Sequence, residues 1–234
     1  MSSIKPDFFE DQVSPEFVDA VIKYIDDSEL DKTSYDYYLS IVEQQFSLEG
    51  QEAKDKLEEL NNSYEGQVRS GKPVVPIPTL RFKHWNFHEE ENDIERMISN
   101  TMYKKSVSAN NVYGFDLDFN HMTCFLAKYM PEENAHFDWH VDGHMTFQDP
   151  SSRKLSFTVC LKPAKKGGKF FIQEGWEVWP KSTDITSLTL PIQEIEQTPG
   201  KVISFPSYYN HCVTPVEEGN RYVLITWIWG PEWR

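Results

Sequence analysis

The second half of the chain is a series of short segments with strong β propensity, and this pattern constrains the fold more than any other feature. Each segment is short and is bounded by Gly, Pro or Asn, which is typical of strands joined by tight turns. The segments are Leu155–Leu161, Lys169–Gln173, Lys201–Phe205 and Arg221–Trp229. On the last of these, Arg221, Val223, Ile225 and Trp227 alternate along the chain and share one face, which is mostly apolar and predicts an inward orientation.

The first half of the chain favours helices. Ser14, Pro15 and Glu16 suit the cap and first turn of a helix, and an apolar stripe follows. Asn92 and Glu95 suggest a capping box for a later helix. Helices are predicted from residue 15, over 35–46, over 51–61 and after 92, a strand over 78–87, and two strand-like runs within 111–129. Helices followed by many short strands predict an α+β fold or a β-sandwich with helical support.

Charge and cysteine content narrow the classes of partner and compartment. The 234 residues carry a formal net charge of −14, whereas a protein that binds nucleic acid needs a basic surface, so no nucleic-acid partner is expected. The three cysteines, Cys124, Cys160 and Cys212, are widely spaced and odd in number, which favours reduced thiols over a disulfide framework. The polar, acidic start and the lack of a long apolar run predict no signal peptide and no membrane partner, and therefore a cytoplasmic location.

One short run combines the residue types of a metal site. His140 and Asp142 are two residues apart, so in an extended segment both side chains point the same way. With His211 they would form a set of two histidines and one carboxylate, the ligand set of non-haem Fe(II) oxygenases. His136 and Asp138 form a second pair with the same spacing, and either pair alone would also fit an exposed hairpin turn.

Arg221 begins the last predicted strand on its apolar face. A guanidinium in an apolar interior needs an anionic partner. That partner is either a structural Asp or Glu or the carboxylate of a bound ligand, which Arg can hold through two parallel hydrogen bonds.

These motifs occur in an order that resembles a known family. After the His140 and Asp142 run come RKLSFTVCL, GGKFF, PGKVISFPSYYNHCVTPV and GNRYVLITWIWGP. The series is similar to the 2-oxoglutarate and Fe(II)-dependent dioxygenases, and most of all to their prolyl 4-hydroxylase-like branch with its small bacterial and phage members. The resemblance covers residues 119–234, about half of the chain.

The resemblance implies a fold and a set of roles. The fold would be a double-stranded β-helix, or jelly-roll barrel, over residues 78–234, with residues 1–77 as an N-terminal helical region that packs on it. His140, Asp142 and His211 would bind Fe(II), and Arg221 and Tyr129 would bind 2-oxoglutarate. The spacing after Tyr129 is longer than in the family pattern, so core packing is the alternative for that residue. O2 would be the second co-substrate and ascorbate a reductant.

The expected function is hydroxylation of an unactivated C–H, most simply on a prolyl residue of a peptide or protein. Alternatives are hydroxylation of a free amino acid or other small molecule, a jelly-roll binding module without activity, and a cupin-type metal-dependent isomerase or hydrolase. Halogenases of the superfamily lack the carboxylate ligand, so Asp142 favours hydroxylation. Residues 174–196, with Trp176 and Trp179, form an insertion that would be either a lid or a solvated loop.

Overall fold

Two antiparallel β-sheets form the centre of the protein. A computed structural model describes residues 8–28, 30, 33–69, 80–142, 151–173 and 192–232. The larger sheet has six strands in the order β1-β9-β5-β12-β3-β2, the second has four in the order β4-β10-β7-β8, and β6 pairs with β11. The strands are β1 Phe9–Gln12, β2 Arg81–Asn86, β3 Asp118–Tyr129, β4 Phe137–His140, β5 Ser151–Lys162, β6 Lys166–Gly167, β7 Phe170–Gln173, β8 Ile192–Ile195, β9 Lys201–Pro206, β10 Asn210–Val213, β11 Val216–Glu218 and β12 Arg221–Pro231. The helices are α1 Pro15–Asp27, α2 Ser34–Phe46, α3 Gly50–Arg69 and α4 Asp93–Tyr113, with a 3₁₀ turn at Pro131–Glu133.

The two faces of the larger sheet bury different partners. On β12, Tyr222, Leu224 and Ile228 belong to a core that also contains residues of α1 and α4. Val223, on the opposite face, belongs to a core shared with Phe170 and Val213 of the smaller sheet. The alternation predicted for this strand is therefore confirmed, because side chains two apart share a face. This arrangement of helices outside and two sheets facing each other is the predicted α+β jelly roll.

The predicted helix starts are confirmed at α1 and α4. The Ser14 hydroxyl accepts a hydrogen bond from the Phe17 amide at 3.2 Å, and the Asn92 side chain accepts one from the Glu95 amide at 2.9 Å. The Glu95 carboxylate does not complete a capping box with Asn92; it accepts from the Glu91 amide instead, at 2.7 Å.

One local prediction was wrong. The segment 111–129 does not contain two strand-like runs: residues 111–113 are the last turn of α4, and a single strand, β3, begins at Asp118. Gly114, with φ of 66°, ends the helix in the left-handed conformation that glycine adopts easily. His211 lies within β10 and is paired on both sides.

The N-terminal region is joined to the larger sheet as well as to its helices. Strand β1 pairs with β9, with Phe9 opposite Ser204. Helices α2 and α3 share a small core of their own around Val42, Ala53 and Leu57. The boundary expected at 77/78 falls in residues 70–79, outside the described residues, and stays a prediction. Among the described residues, no helix is both long and apolar enough to cross a membrane.

A buried carboxylate ties α1, β2 and α4 together. Glu95 is fully buried, and its carboxylate contacts Lys83 Nζ at 2.7 Å and accepts from the Tyr24 hydroxyl at 2.5 Å. Burial raises the pKa of Glu95, but the hydrogen bonds from Lys83, Tyr24 and the Glu91 amide outweigh it and the net pKa is lowered from 4.5. The ionised carboxylate therefore stabilises the fold above the unfolded-state pKa, and this contribution is lost as the pH falls through the folded-state pKa.

We expect Glu95→Gln to lower the free energy of unfolding by about 2 kcal/mol at pH 7, since it weakens several charge-assisted hydrogen bonds at a buried site. Urea unfolding at pH 7 and below pH 4 measures the effect, and the difference from wild type should shrink at the lower pH. Glu91→Gln is the matched control, because Glu91 contacts the same Lys83 but its side chain is 75% exposed. Equal losses of stability in the two variants would contradict this account.

Candidate metal and carboxylate site

Strand register brings the predicted metal-binding residues together. In the ladder between β4 and β10, His211 lies directly opposite His140. Asp142 follows β4 by two residues and turns back toward both imidazoles. His140 Nε2 is 3.6 Å from one Asp142 carboxylate oxygen, and His211 Nε2 is 3.5 Å from the other. All three side chains are buried.

The geometry of the three side chains fits a metal ion. Their ligand atoms lie within 4.8 Å of one another. Atoms bonded to one ion at about 2.1 Å must lie within about 4.2 Å of each other, and both histidine–carboxylate pairs meet this limit. His140 Nδ1 lies 2.7 Å from the Asp138 carbonyl and His211 Nδ1 lies 3.0 Å from the Tyr209 carbonyl, so each Nδ1 donates a hydrogen bond. Each Nε2 then carries the lone pair that a metal requires.

The competing pair has a different position. His136 and Asp138 have side chains that are 29% and 47% exposed, and His136 Nδ1 bonds to the Asn134 carbonyl. Neither belongs to the cluster formed by His140, Asp142 and His211. The ladder between β4 and β10 explains the difference, because His140 lies directly opposite His211 and a register shift separates this pair from Phe137 and Val213.

The side chains around Asp142 favour the ionised form of its carboxyl group. Burial would raise the pKa of this carboxyl, but the neighbouring His211, His140 and Arg153 side chains lower it below its usual value. Asp142 is therefore ionised at neutral pH and available as an anionic oxygen ligand. The Arg153 guanidinium lies over the Trp227 ring at 4.0 Å and over the Trp229 ring at 5.0 Å.

Arg221 lies in the same pocket and is 1% exposed. Its Nη2 donates to the Gln197 side-chain oxygen at 3.0 Å, while Nε and Nη1 have no hydrogen-bond acceptor among the residues that the structure describes. A buried guanidinium with two unpaired donors carries a large desolvation cost, which a bound carboxylate would offset. The structural Asp or Glu considered as an alternative partner is not found among those residues.

Tyr129 is the other predicted co-substrate residue, and it faces Arg221 across the ladder between β3 and β12. The Arg221 guanidinium lies 4.9 Å from the centre of the Tyr129 ring. Burial raises the pKa of Tyr129, although Arg221 lowers it in part. The phenol therefore stays protonated at neutral pH and can donate a hydrogen bond to an anion.

The metal-binding cluster and the Arg221–Tyr129 pair line the same pocket, which has a volume of about 390 Å³ including a part that is open to solvent. Apart from the metal-binding and carboxylate-binding candidates, its wall is mainly aromatic and aliphatic. The lining residues are Tyr129, Phe137, His140, Asp142, Phe157, Thr158, Phe170, Phe205, His211, Val213, Arg221, Val223, Ile225 and Trp227.

Two contributors were missed by the sequence analysis. Gln197 lies between β8 and β9, and a glutamine in a connecting segment has no pattern that indicates a partner 24 residues away. Arg153 starts a predicted strand region, and only the fold shows that it stacks on two tryptophans beside Asp142.

The insertion with Trp176 and Trp179 falls mainly on residues 174–191, outside the described residues. Gly167 and Gly168 have φ of 71° and 59° and lie where β6 ends.

Comparisons with known proteins agree with this geometry. The family model of the 2OG-Fe(II) oxygenase superfamily matches residues 124–229. A PKHD-type hydroxylase of Synechococcus sp. (strain CC9605) is 39% identical over 94 residues, which are 39% of this chain and 36% of the relative. A PKHD-type hydroxylase of Prochlorococcus marinus (strain MIT 9515) is 24% identical over 177 residues, 74% of this chain and 72% of that protein.

The fold is shared with a solved structure. The viral collagen prolyl hydroxylase from Paramecium Bursaria Chlorella virus-1, solved as a 2OG complex, has a TM-score of 0.53 at 14% identity, with 95% of this chain and 96% of that chain covered. The chain spans about a third to a half of the length of several curated relatives that it matches. Residues 124–229, which include all three residues of the His-Asp-His cluster, therefore resemble the 2OG-Fe(II) oxygenase superfamily.

Proposed function

We propose that this protein is an Fe(II)- and 2-oxoglutarate-dependent dioxygenase that hydroxylates an unactivated C–H on a prolyl residue of a peptide or protein. The observation that carries the proposal is the position of Arg221. Its buried guanidinium has two donors, Nε and Nη1, that find no acceptor among the residues that the structure describes. It lies in the same pocket as a set of two histidines and one carboxylate. A metal alone would not require that cation, and an anionic co-substrate would.

His140 Nε2, an Asp142 carboxylate oxygen and His211 Nε2 would hold the iron. This ligand set suits Fe(II) and leaves positions open for other ligands. When bound, Fe(II) with 2-oxoglutarate and O2 supplies the oxidising power that converts a C–H to a C–OH, with succinate and CO2 as the other products. The hydrogen bonds from each Nδ1 to a backbone carbonyl fix the two imidazole rings, so the ligand geometry is set before the metal binds.

The protein would hold the far carboxylate of 2-oxoglutarate through Arg221 Nε and Nη1 and the Tyr129 hydroxyl. Gln197 would act as a positioning residue, since its amide oxygen occupies Nη2 and leaves the other two donors free. The apolar wall formed by Phe157, Phe205 and Val223 would exclude water from the reacting groups.

The substrate class is supported by the relatives, which are PKHD-type hydroxylases, and by the structural neighbour, which is a collagen prolyl hydroxylase. A free amino acid or other small molecule is the second candidate, since the pocket itself is small. We place the reaction in the cytoplasm, with ascorbate as a reductant and no nucleic-acid partner. The three buried free thiols and the net charge of −14 support this assignment. We also propose that the chain divides into an N-terminal helical region, residues 1–77, and a barrel domain, residues 78–234.

Incubation with Fe(II), 2-oxoglutarate, ascorbate and O2 tests the activity. We expect succinate to form, and to form faster with a proline-containing peptide whose mass rises by one oxygen atom. Chemical acid hydrolysis of the product and amino-acid analysis would identify the hydroxylated residue. Absence of succinate with every substrate tried would favour the alternative of a jelly-roll binding module. Succinate together with a hydroxylated free amino acid, but no hydroxylated peptide, would favour the small-molecule alternative.

A further inference from the structure

Aromatic rings form a continuous strip from the pocket to helix α2. The aromatic strip consists of Trp227, Phe125, Phe82, Tyr37 and Tyr38. Successive ring centres are 5.6, 4.6, 5.3 and 5.5 Å apart in that order. Phe82 is buried, and the other four rings are partly exposed, so the strip presents aromatic surface to solvent. It therefore crosses β12, β3 and β2 and ends on a helix.

The inner end of the strip is part of the candidate active site. Trp227 lines the pocket, and the Arg153 guanidinium lies 4.0 Å from its ring. The outer end of the strip, at Tyr38, is influenced by charges near the candidate active site. Burial raises the pKa of Tyr38, Arg153 lowers it, and Asp142 raises it. Ring contacts through Phe82 and Phe125 connect the tyrosine pair of α2 to Trp227, which lines the pocket.

We propose that the aromatic strip binds the part of a substrate chain that flanks the reacting residue, and that Tyr37 and Tyr38 determine the preference for an extended, proline-containing peptide. This inference rests on the proposed function and deepens it. Tyr37 and Tyr38 lie outside residues 124–229, the part that the family model matches. The N-terminal helical region would then take part in substrate selection as well as in support of the sheet.

The chemistry of the strip favours this occupant. Rigid aromatic rings bind proline-rich segments well, because a polyproline II chain loses little conformational entropy on docking and the rings offer flat apolar faces. The phenol hydroxyls can also hydrogen-bond to backbone carbonyls of the peptide. A free amino acid would occupy the pocket alone and would not reach α2.

Single-stranded nucleic acid is a second kind of polymer that stacks on aromatic rings. The charges near the aromatic strip argue against this ligand. Such binding needs a positively charged groove along the backbone. Arg153 is the cation found near the strip's inner end, while the chain as a whole carries a net charge of −14. A peptide without a chain of phosphates fits these charges better.

Peptide affinity tests the proposal without turnover. Anaerobic calorimetry with Mn(II) and 2-oxoglutarate would measure the Kd of a ten-residue proline-rich peptide and of a tripeptide with one proline. In wild type we expect the longer peptide to bind at least about tenfold more tightly, as expected for the added ring contacts. In the double variant Tyr37→Leu/Tyr38→Leu we expect the Kd of the longer peptide to rise about tenfold and that of the tripeptide to change little.

Controls separate binding from folding and from the proposed function. Tyr35→Leu is a matched control on the same helix, since Tyr35 is 46% exposed and is not part of the strip. The double variant Tyr37→Phe/Tyr38→Phe should retain most of the affinity, because it keeps the rings. Unchanged peptide affinity in the folded leucine variant, or a decapeptide that binds no more tightly than the tripeptide, would overturn the strip. Failure of 2-oxoglutarate to bind would instead overturn the proposed function.

Discussion

Replacing His140 or Asp142 with alanine is expected to lower Fe(II) affinity by at least about 100-fold, because loss of groups that only orient a metal ligand already costs about 10- to 100-fold. Each substitution removes one of three ligand atoms that lie within 4.8 Å of one another. Anaerobic calorimetry with Fe(II), or with Mn(II) as a stable substitute, measures the change.

The chain supplies its own matched controls for this experiment. His136→Ala and Asp138→Ala change the same residue types at the same spacing, but on side chains that are 29% and 47% exposed. We expect both control variants to bind metal as wild type does. Retention of affinity in His140→Ala together with its loss in His136→Ala would contradict the assignment.

Arg221→Met is expected to raise the Kd of 2-oxoglutarate by about 100-fold, since it removes a buried, hydrogen-bonding cation from a carboxylate. Metal affinity should remain, because Arg221 is not part of the His-Asp-His cluster. Without co-substrate, the free energy of unfolding should stay the same or rise. An isolated buried charge is costly, and methionine fills a similar volume without that cost. Weaker 2-oxoglutarate binding without a loss of stability would distinguish a ligand-binding role of Arg221 from a structural one.

Thermal unfolding with and without 2-oxoglutarate checks both parts. In wild type the ligand should raise the Tm, and in Arg221→Met the increase should be absent while the Tm without ligand is not lowered. Arg81→Met is the control, since Arg81 has an anionic partner, Glu133, at 2.8 Å and lies away from the pocket. A large loss of Tm in Arg221→Met without ligand would show that the guanidinium has a structural partner.

Local patterns in the sequence predicted much of the fold, and non-local pairing decided the rest. The cap at Ser14 and the alternation along β12 depend on residues that are near one another in sequence, and both were predicted correctly. The end of α4 was not, because residues 111–113 are as compatible with a strand as with a helix. Tertiary packing of a 21-residue helix that ends at Gly114 decided between them.

The candidate site shows the same division. His140 and Asp142 could be recognised from their spacing, but the choice between this pair and His136 with Asp138 depends on which one faces His211. That is a matter of register between β4 and β10, whose residues are about 70 positions apart. Gln197 and the tyrosines of α2 escaped prediction for a similar reason: each meets its partner only through the packing of distant segments.

Anaerobic absorption titration tests the central claim most directly, because it reads the metal and the dicarboxylate together. Fe(II) and 2-oxoglutarate would be added to the protein separately and then jointly under nitrogen. The account predicts a metal-to-ligand charge-transfer band in the visible range that needs both additions, saturates at one equivalent of each, and is lost in His140→Ala but kept in His136→Ala. No band in wild type at saturating concentrations of both would contradict it.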